Sequence, residues 1–385
     1  MIPLAVPNLE GNERAYLNKC IDTTFVSSVG EFVNRIEEMT AAACGAKFGV
    51  ATSSGTTGLH LALTGCGVTY GDIVIIPSFT FIATANAVSH CGATAWLMDV
   101  DDTWTIDLNQ LENELASNTE IIDGKLIHKA TGKRIAAIMP VYTLGNVPDM
   151  NRLAEIAKKY NLTVIADAAA AIGATFQGKK LAELAKLSVI SFNGNKTVTA
   201  GGGGMIVGND ETLMKKLKHL STTARVTAEY DHDMVGYNYR MTNIQAAVGC
   251  AQLERLDSFI ATKRRIRNFY NDAFKDIENI SPFPEVPKNE SSCWFSGFVL
   301  KSGGLELVRK ICGELKNLGI EARSFWKPIH LQKPYQNALK ASSLDVSNNL
   351  WDKIVTLPCS TNITENELEY VAANVKKILK QFEIH

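Results

Sequence analysis

From residue 48 to about residue 207 the chain repeats one pattern: a short, continuously apolar run, then a stretch with helical spacing. The runs are FGVAT (48–52), DIVIIP (72–77), TAWLMDV (94–100), RIAAIMPV (134–141), LTVIADAA (162–169), LSVISF (187–192) and GMIVG (204–208). Most lack the polar alternation of a strand with one wet face, so they read as strands buried on both sides, in a mainly parallel sheet covered by helices. The spacing after residue 241 predicts one long amphipathic helix through MTNIQAAVGCAQLERLDSFIATKRRIRNFYNDAF. The Pro-rich piece 281–292 then turns the chain into a smaller unit, with a strand in WFSGFVL and a helix in LELVRKICGELKNLG stopped by Gly319. At 385 residues the chain has room for about two domains, and the reading divides it into 1–255 and 256–385.

Charge excludes several partners. Lys and Arg total 39 against 40 Asp and Glu, which leaves no general basic field for nucleic acid, so any anionic ligand must be held locally. No run reaches membrane-spanning length and the first residues do not look like a secretory leader, so a cytoplasmic location is expected. The eight cysteines lie far apart, with no CxxC pair and no Cys/His cluster at metal spacing; no metal is expected and the thiols read as reduced.

Three segments could carry chemistry. SSGTTGLHLAL (53–63) is a small-residue turn between a strand and a helix, where free N–H groups and the helix dipole favour an anion such as phosphate. Alone, it reads first as a plain capped turn. Asp167 ends an apolar strand and is followed by AAAAIGA, whose small side chains leave room for a flat group beside the carboxylate; its other reading is a helix N-cap. Lys196 lies in SFNGNKTVTAGGGGM (191–205), directly after a strand. A lone lysine is usually a solvated charge, yet one enclosed in a site can lose its proton and form an imine with an aldehyde. Neither a Walker loop nor a GxGxxG fingerprint is present, which demotes ATP and NAD. Together the three parts suit pyridoxal 5'-phosphate (PLP): a phosphate turn, an acid for the pyridinium and an amine for the aldehyde.

At this point the sequence resembles the DegT/DnrJ/EryC1/StrS family of sugar aminotransferases. The resemblance spans nearly the whole chain through SSGTTGLHLAL, PSFTFIATANAV, PVYTLGNVPDM, IADAAAAIGAT, SFNGNKTVTAGGGGM, GYNYRMTNIQAAVG, ARSFWKPIHLQ and LPCSTNITENEL. It implies an α/β fold of the fold type I, aspartate-aminotransferase-like class, with a large PLP-binding domain and a smaller C-terminal α+β domain. It further implies Lys196 as the Schiff-base lysine, Asp167 at the pyridine nitrogen and Phe81 stacked on the ring. Thr56, Thr57 and Ser191 would lie at the phosphate, Ala169 beside the cofactor, and Asn238 at the phosphate of a neighbouring subunit, hence a homodimer with shared sites. Arg240 and His330 match positions near the nucleotide sugar; their other readings are an interface ion pair and a satisfied structural histidine.

The implied reaction moves an amino group from L-glutamate to a nucleotide-linked keto-sugar, with Lys196 shuttling the proton. The opening MIPLAVPNLEGNE, the insert DGKLIHKATGKRIAAIMPV, FNGNKTVTAGGGGM and LPCSTNIT look closest to the LegC-like group, which makes UDP-4-amino-4,6-dideoxy-N-acetylglucosamine for bacterial surface glycans. A UDP-linked 4-keto-6-deoxy N-acetyl sugar is therefore the expected acceptor. TDP- or GDP-linked acceptors, or amination at C3, stay open because the shared motifs read the cofactor and not the sugar. Two departures stand out: Ala170 where relatives carry Gln, Glu or His, and Tyr142 where many carry His. A PLP-dependent sugar dehydratase would have His in place of Lys196, which argues against that class. A nucleotide-sugar-binding regulator is the remaining alternative, to which Ala170 lends some support.

Overall fold

The computed structural model describes residues 1–384. In the first part of the chain the strands are β1 (Phe48–Thr52), β2 (Ile73–Pro77), β3 (Thr94–Met98), β4 (Thr119–Ile122), β5 (Lys125–His128), β6 (Lys133–Ile138), β7 (Thr163–Asp167), β8 (Thr175–Phe176), β9 (Lys179–Lys180), β10 (Leu187–Ser191) and β11 (Gly204–Gly208). After them come β12 (Ile280–Pro282), β13 (Asn289–Glu290), β14 (Ser296–Leu300), β15 (Leu339–Lys340) and β16 (Ile354–Leu357). The helices are α1 (Glu13–Asp22), α2 (Glu31–Cys44), α3 (Gly55–Gly65), α4 (Ile82–His90), α5 (Leu108–Asn118), α6 (Met150–Lys159), α7 (Glu211–Ser221), α8 (Asn243–Leu253), α9 (Leu256–Phe274), α10 (Leu305–Asn317), α11 (Asp345–Leu350) and α12 (Glu365–Gln381).

The large sheet runs in the order β1-β11-β10-β7-β6-β2-β3-β15. The pairs from β10 to β15 are parallel, while β11 runs antiparallel to both its neighbours. Alternate residues of one strand feed two different cores, as the period of 2 requires: Ile73 and Ile75 of β2 face one, Val74 and Ile76 the other. Helices α3 and α7 supply Leu59, Leu63 and Leu217 to the second of these, and α5 and α6 supply Leu111 and Leu153 to the first. Each of these side chains is buried, at about 1.5–3 kcal/mol apiece. A third core gathers around the small antiparallel sheet β12-β14-β16 under α10 and α12, through Phe298, Val308, Ile311, Val355 and Val371.

The expected long helix is two helices. Helix α8 stops at Leu253 and α9 starts at Leu256, with Arg255 at φ −109° and ψ 9°. Its cause is tertiary: Glu254 bonds Asn12, Tyr16 and Arg35, and Arg255 donates to Asn8, so both break residues are held by the N-terminal segment. The break lets α8 pack between α1 and α2 while the far end of α9, at Ile266 and Tyr270, reaches the third core. AAAAIGA also differs from a helix; it makes successive turns, so Asp167 caps no helix. Residues beyond 256 are not confined to the small sheet: β15 returns to pair with β3, and β13 pairs with β8. The insert flagged in the sequence supplies β5 and β6; β5 forms a hairpin with β4, which precedes the insert, and joins that hairpin to the large sheet through β6.

Gly319 has φ +75°, and this left-handed turn ends the stretch after α10 as the sequence suggested. All eight cysteines are free thiols. Among the described residues no helix is long and apolar enough to cross a membrane.

Candidate active site

The ends of β1, β7 and β10 point toward one cavity of about 520 Å³, where a parallel sheet places its ligand crevice. Its floor starts with the turn into α3. Ser54 caps that helix by accepting from Thr57 N–H, and Thr57 Oγ1 accepts from Ser54 N–H in return. The N–H groups of Gly55 and Thr56 have no intrahelical acceptor, because they precede the first complete turn. Ser191, the last residue of β10, abuts this turn: a Cβ on Gly55 would lie 3.0 Å from Ser191 Cβ. Gly204 lets β11 come as near, since a Cβ there would meet Ser54 C and O and Gly55 N at 2.7 Å. Thr56 and Ser191 line the cavity, whereas the Thr57 hydroxyl is spent on the cap.

Asp167 ends β7 and is buried. Its Oδ2 accepts from Thr84 Oγ1 at 2.7 Å and its Oδ1 from Ala169 N–H at 3.2 Å. Burial pushes its carboxyl up, against the opposing pull of those two bonds and of the Lys196 charge. A buried carboxylate with this much desolvation calls for a cation on its open side. Ala169 and Ala170 line the wall beside it and leave a slot for a flat ring.

Lys196 reaches the same cavity from the loop after β10, which is closed by Ala200 N–H and Thr199 Oγ1 on the Phe192 carbonyl. Burial pulls its amine down to about 7 from 10.5, with Asp167 acting the other way. A large share of it is therefore the neutral nucleophile near neutral pH. The amine lies 3.5 Å from the centroid of the Trp294 indole. Phe81, at the start of α4, is 55% exposed and faces Trp326 across 6.3 Å.

Besides Thr57, three expected residues stand outside the cavity wall. Asn238 is exposed and bridges to Thr222, and Arg240 is half-buried with an Nε that has no partner among the described residues. His330 is buried, with Nδ1 2.6 Å from Ser78 Oγ and Nε2 2.9 Å from Asn348 Oδ1, so both nitrogens are engaged within the fold. Its neighbours in ARSFWKPIH are the ones that reach the cavity: Arg323, Ser324, Phe325 and Trp326. The sequence reading passed over these, and over Trp294 and Thr84. A signal for the first group was the charge and aromatic pair in one motif; Thr84 and Trp294 had none. Tyr142 lines the wall with a buried hydroxyl that has no partner among the described residues, and burial pushes its phenol far above the ordinary range.

The donor set fits PLP. Free N–H groups and two hydroxyls suit a phosphate, the buried Asp167 suits a protonated ring nitrogen, and the neutral Lys196 amine suits an aldehyde. Among the described residues no three metal-ligating side chains cluster.

Comparison with known proteins agrees with this chemistry. The sequence model described as the DegT/DnrJ/EryC1/StrS aminotransferase family matches residues 7–376. A GDP-perosamine synthase from Caulobacter vibrioides is 39% identical over 98% of this chain and 98% of its own. A UDP-4-amino-4,6-dideoxy-N-acetyl-beta-L-altrosamine transaminase from Campylobacter jejuni is 29% identical over 99% of this chain and 98% of its own. In structure, a DegT DnrJ EryC1 StrS aminotransferase from Brucella abortus superimposes with a TM-score of 0.87 at 27% identity, covering 95% of each chain.

Proposed function

This chain belongs to the DegT/DnrJ/EryC1/StrS aminotransferase family, and from that premise we propose that it moves an amino group from L-glutamate to a UDP-linked 4-keto-6-deoxy N-acetyl sugar. That it is a PLP-dependent aminotransferase of nucleotide-linked sugars follows from the family and its relatives. One observation carries the chemistry: a buried carboxylate and a lysine whose amine burial draws down toward neutrality share one cavity with a phosphate-type turn.

When bound, PLP supplies an aldehyde that carries the amino group between donor and acceptor, and a ring that takes up electrons from the reacting carbon. The chain's residues do the rest. Gly55, Thr56 and Ser191 hold the phosphate, and Asp167 keeps the ring nitrogen protonated. Phe81 covers the ring, and Ala169 gives it room. The Nζ of Lys196 takes the proton from the reacting carbon and returns it one atom away, as base and then acid. Arg240 and His330 stand off the cavity wall, and His330 has both nitrogens engaged within the fold, so neither is given a contact with the sugar in this reading.

The acceptor rests on the sequence resemblance to enzymes making UDP-linked 4-amino sugars. A GDP-linked acceptor is the second reading, favoured by the 39% identity to a GDP-perosamine synthase. The deciding experiment mixes PLP-loaded protein, glutamate and a panel of UDP-, TDP- and GDP-linked 3-keto and 4-keto 6-deoxy sugars, with products read by mass spectrometry. An amino sugar formed only from the UDP-linked 4-keto N-acetyl substrate supports the first reading; one formed only from a GDP-linked sugar replaces it with the second. No product from any sugar, with a cofactor band that does not respond to glutamate, refutes the aminotransfer.

The working unit is a cytoplasmic homodimer in this reading, with residues 1–255 forming the cofactor domain and 256–385 the smaller one. What supports the dimer is the segment that carries Asn238, where Val226, Tyr230, Met234 and Val235 are exposed. An active monomer in sedimentation experiments would overturn it.

A further inference from the structure

Trp294 belongs to the third core and yet meets the catalytic lysine. Its ring is buried with Phe295, Phe325 and Trp326 at 4.2, 6.5 and 6.0 Å between centroids. Its Nε1–H donates to the carbonyl of Asn195, the residue just before Lys196, at 2.7 Å. Its own carbonyl accepts from the buried Lys263 Nζ at 3.0 Å, and the same amine donates to the Cys359 carbonyl at 2.6 Å. The indole is thus fixed at its backbone, at its edge and by its packing, and the Lys196 amine sits over its face at 3.5 Å.

We propose that Trp294 is the positioning residue for Lys196: its face seats the free amine between proton transfers, and its N–H pins the backbone that carries the lysine. The inference rests on Lys196 being the amine of the proposed transfer. A neutral amine in a dry cavity has many rotamers open to it, and a lysine side chain loses considerable freedom when it is fixed. An aromatic face narrows that choice without offering a hydrogen-bond acceptor that would hold the proton. It also favours the ammonium form, which returns the proton in the second transfer, and so opposes the effect of burial. The other titratable or charged groups around the amine are Asp167, Tyr142 and Arg323 on the cavity wall, and Lys263 behind the indole. Of the charged groups only Asp167 bears on the Lys196 amine, second to burial, and it remains in place in any Trp294 variant.

The test labels cofactor-free, full-length protein with an amine-acylating reagent across a series of pH values and follows the Lys196 peptide by mass spectrometry. Trp294→Leu removes the face and the N–H. The labelling midpoint should fall by about half to one and a half pH units, because a lost cation–π contact of this type is worth that much in protonation. Trp294→Phe keeps an aromatic face, on a smaller ring, and serves if the leucine variant does not fold. It retains most of the midpoint, while the plateau labelling rate rises about two- to five-fold as the Asn195 tether is lost. Folded variants that match the wild-type protein in both midpoint and plateau rate would overturn the proposal. Labelling is independent of turnover, so a shifted midpoint in a protein that aminates nothing would discard the functional reading and leave this contact standing.

Discussion

Thr84 Oγ1 donates to Asp167 Oδ2 across 2.7 Å and thereby ties the first turn of α4 to the end of β7. Thr80 Oγ1 lies 2.9 Å behind it, so the donor belongs to a short chain of hydroxyls. The bond favours the ionised carboxylate, the form that can keep a ring nitrogen protonated. Thr84→Val keeps the shape and removes the donor. Bonds to charged groups are worth about 1.5–3 kcal/mol, so PLP affinity should fall about ten-fold or more, with the acid limb of the kcat profile displaced to higher pH. Thr84→Ser restores both. Cofactor titration and a pH series check this; a valine variant equal to wild type in both would detach Thr84 from the site.

Lys196 should cost the protein stability. Its amine sits near pH 7 when folded and near 10.5 when unfolded, so the unfolded chain binds the extra proton between those values. Stability of the cofactor-free protein therefore rises with pH from about 7 toward 10.5, as far as this group decides it. Lys196→Met removes the burden: at pH 7 the variant should melt higher than wild type, by on the order of a few kcal/mol, and the gap should close near pH 10.5. Its turnover should fall by at least about a thousand-fold, since nothing else in the cavity can move the proton at the reacting carbon. A gap that is flat in pH would show that the amine is not held neutral.

His330 separates a structural role from a substrate role. Its two nitrogens are engaged by Ser78 and Asn348, and burial lowers its pKa, with the Asn348 bond opposing. It is therefore neutral at physiological pH and offers no free polar atom to a sugar. His330→Ala should destabilise the fold by about 2–4 kcal/mol through a cavity and two unpaired partners. KM for the keto-sugar should stay within about two-fold of wild type. Denaturant melts and steady-state kinetics check both; a large KM change with normal stability would put His330 back at the substrate.

The parts of the fold and site legible in sequence are those set by local pattern. Strands such as β2 and β10 are buried at every position, and their unbroken apolar runs announce it. Asp167, Lys196 and the turn at 53–57 follow because each sits just past a strand that the same pattern marks, whereas Thr56 and Ser191 come from the family resemblance. The break at Glu254 and Arg255 was hidden because both are good helix formers, and only contacts with residues 8 to 35 undo the helix there. The hairpin β4–β5 was hidden as well: its outer strand is mostly exposed and carries no buried face to read. Trp294 and Arg323 reach the cavity from loops anchored in another core, so their place depends on how two cores pack, which no local period encodes.

Gly204 tests the cradle itself. The glycine has an ordinary backbone conformation, so a substitution there acts by space and not by φ. An added Cβ would meet the Ser54 carbonyl and the Gly55 nitrogen at 2.7 Å, and both are backbone atoms, which cannot rotate out of the way as the end of a side chain can. Relief requires β11 to move away from β1, which would break their register from Thr52↔Gly204 onward, or the turn to move, which would redirect the N–H groups of Gly55 and Thr56. The second route costs less, because Gly204 is paired on both sides, with Thr52 and Ser191, whereas the N–H groups of Gly55 and Thr56 are tied into no ladder. Overpacking of this kind costs about 1–3 kcal/mol. Gly204→Ala should therefore fold, melt modestly lower and bind PLP at least about ten-fold more weakly, with inorganic phosphate weakened in parallel as a competitor. Loss of PLP affinity without any loss of phosphate competition would place the phosphate elsewhere on the cavity wall.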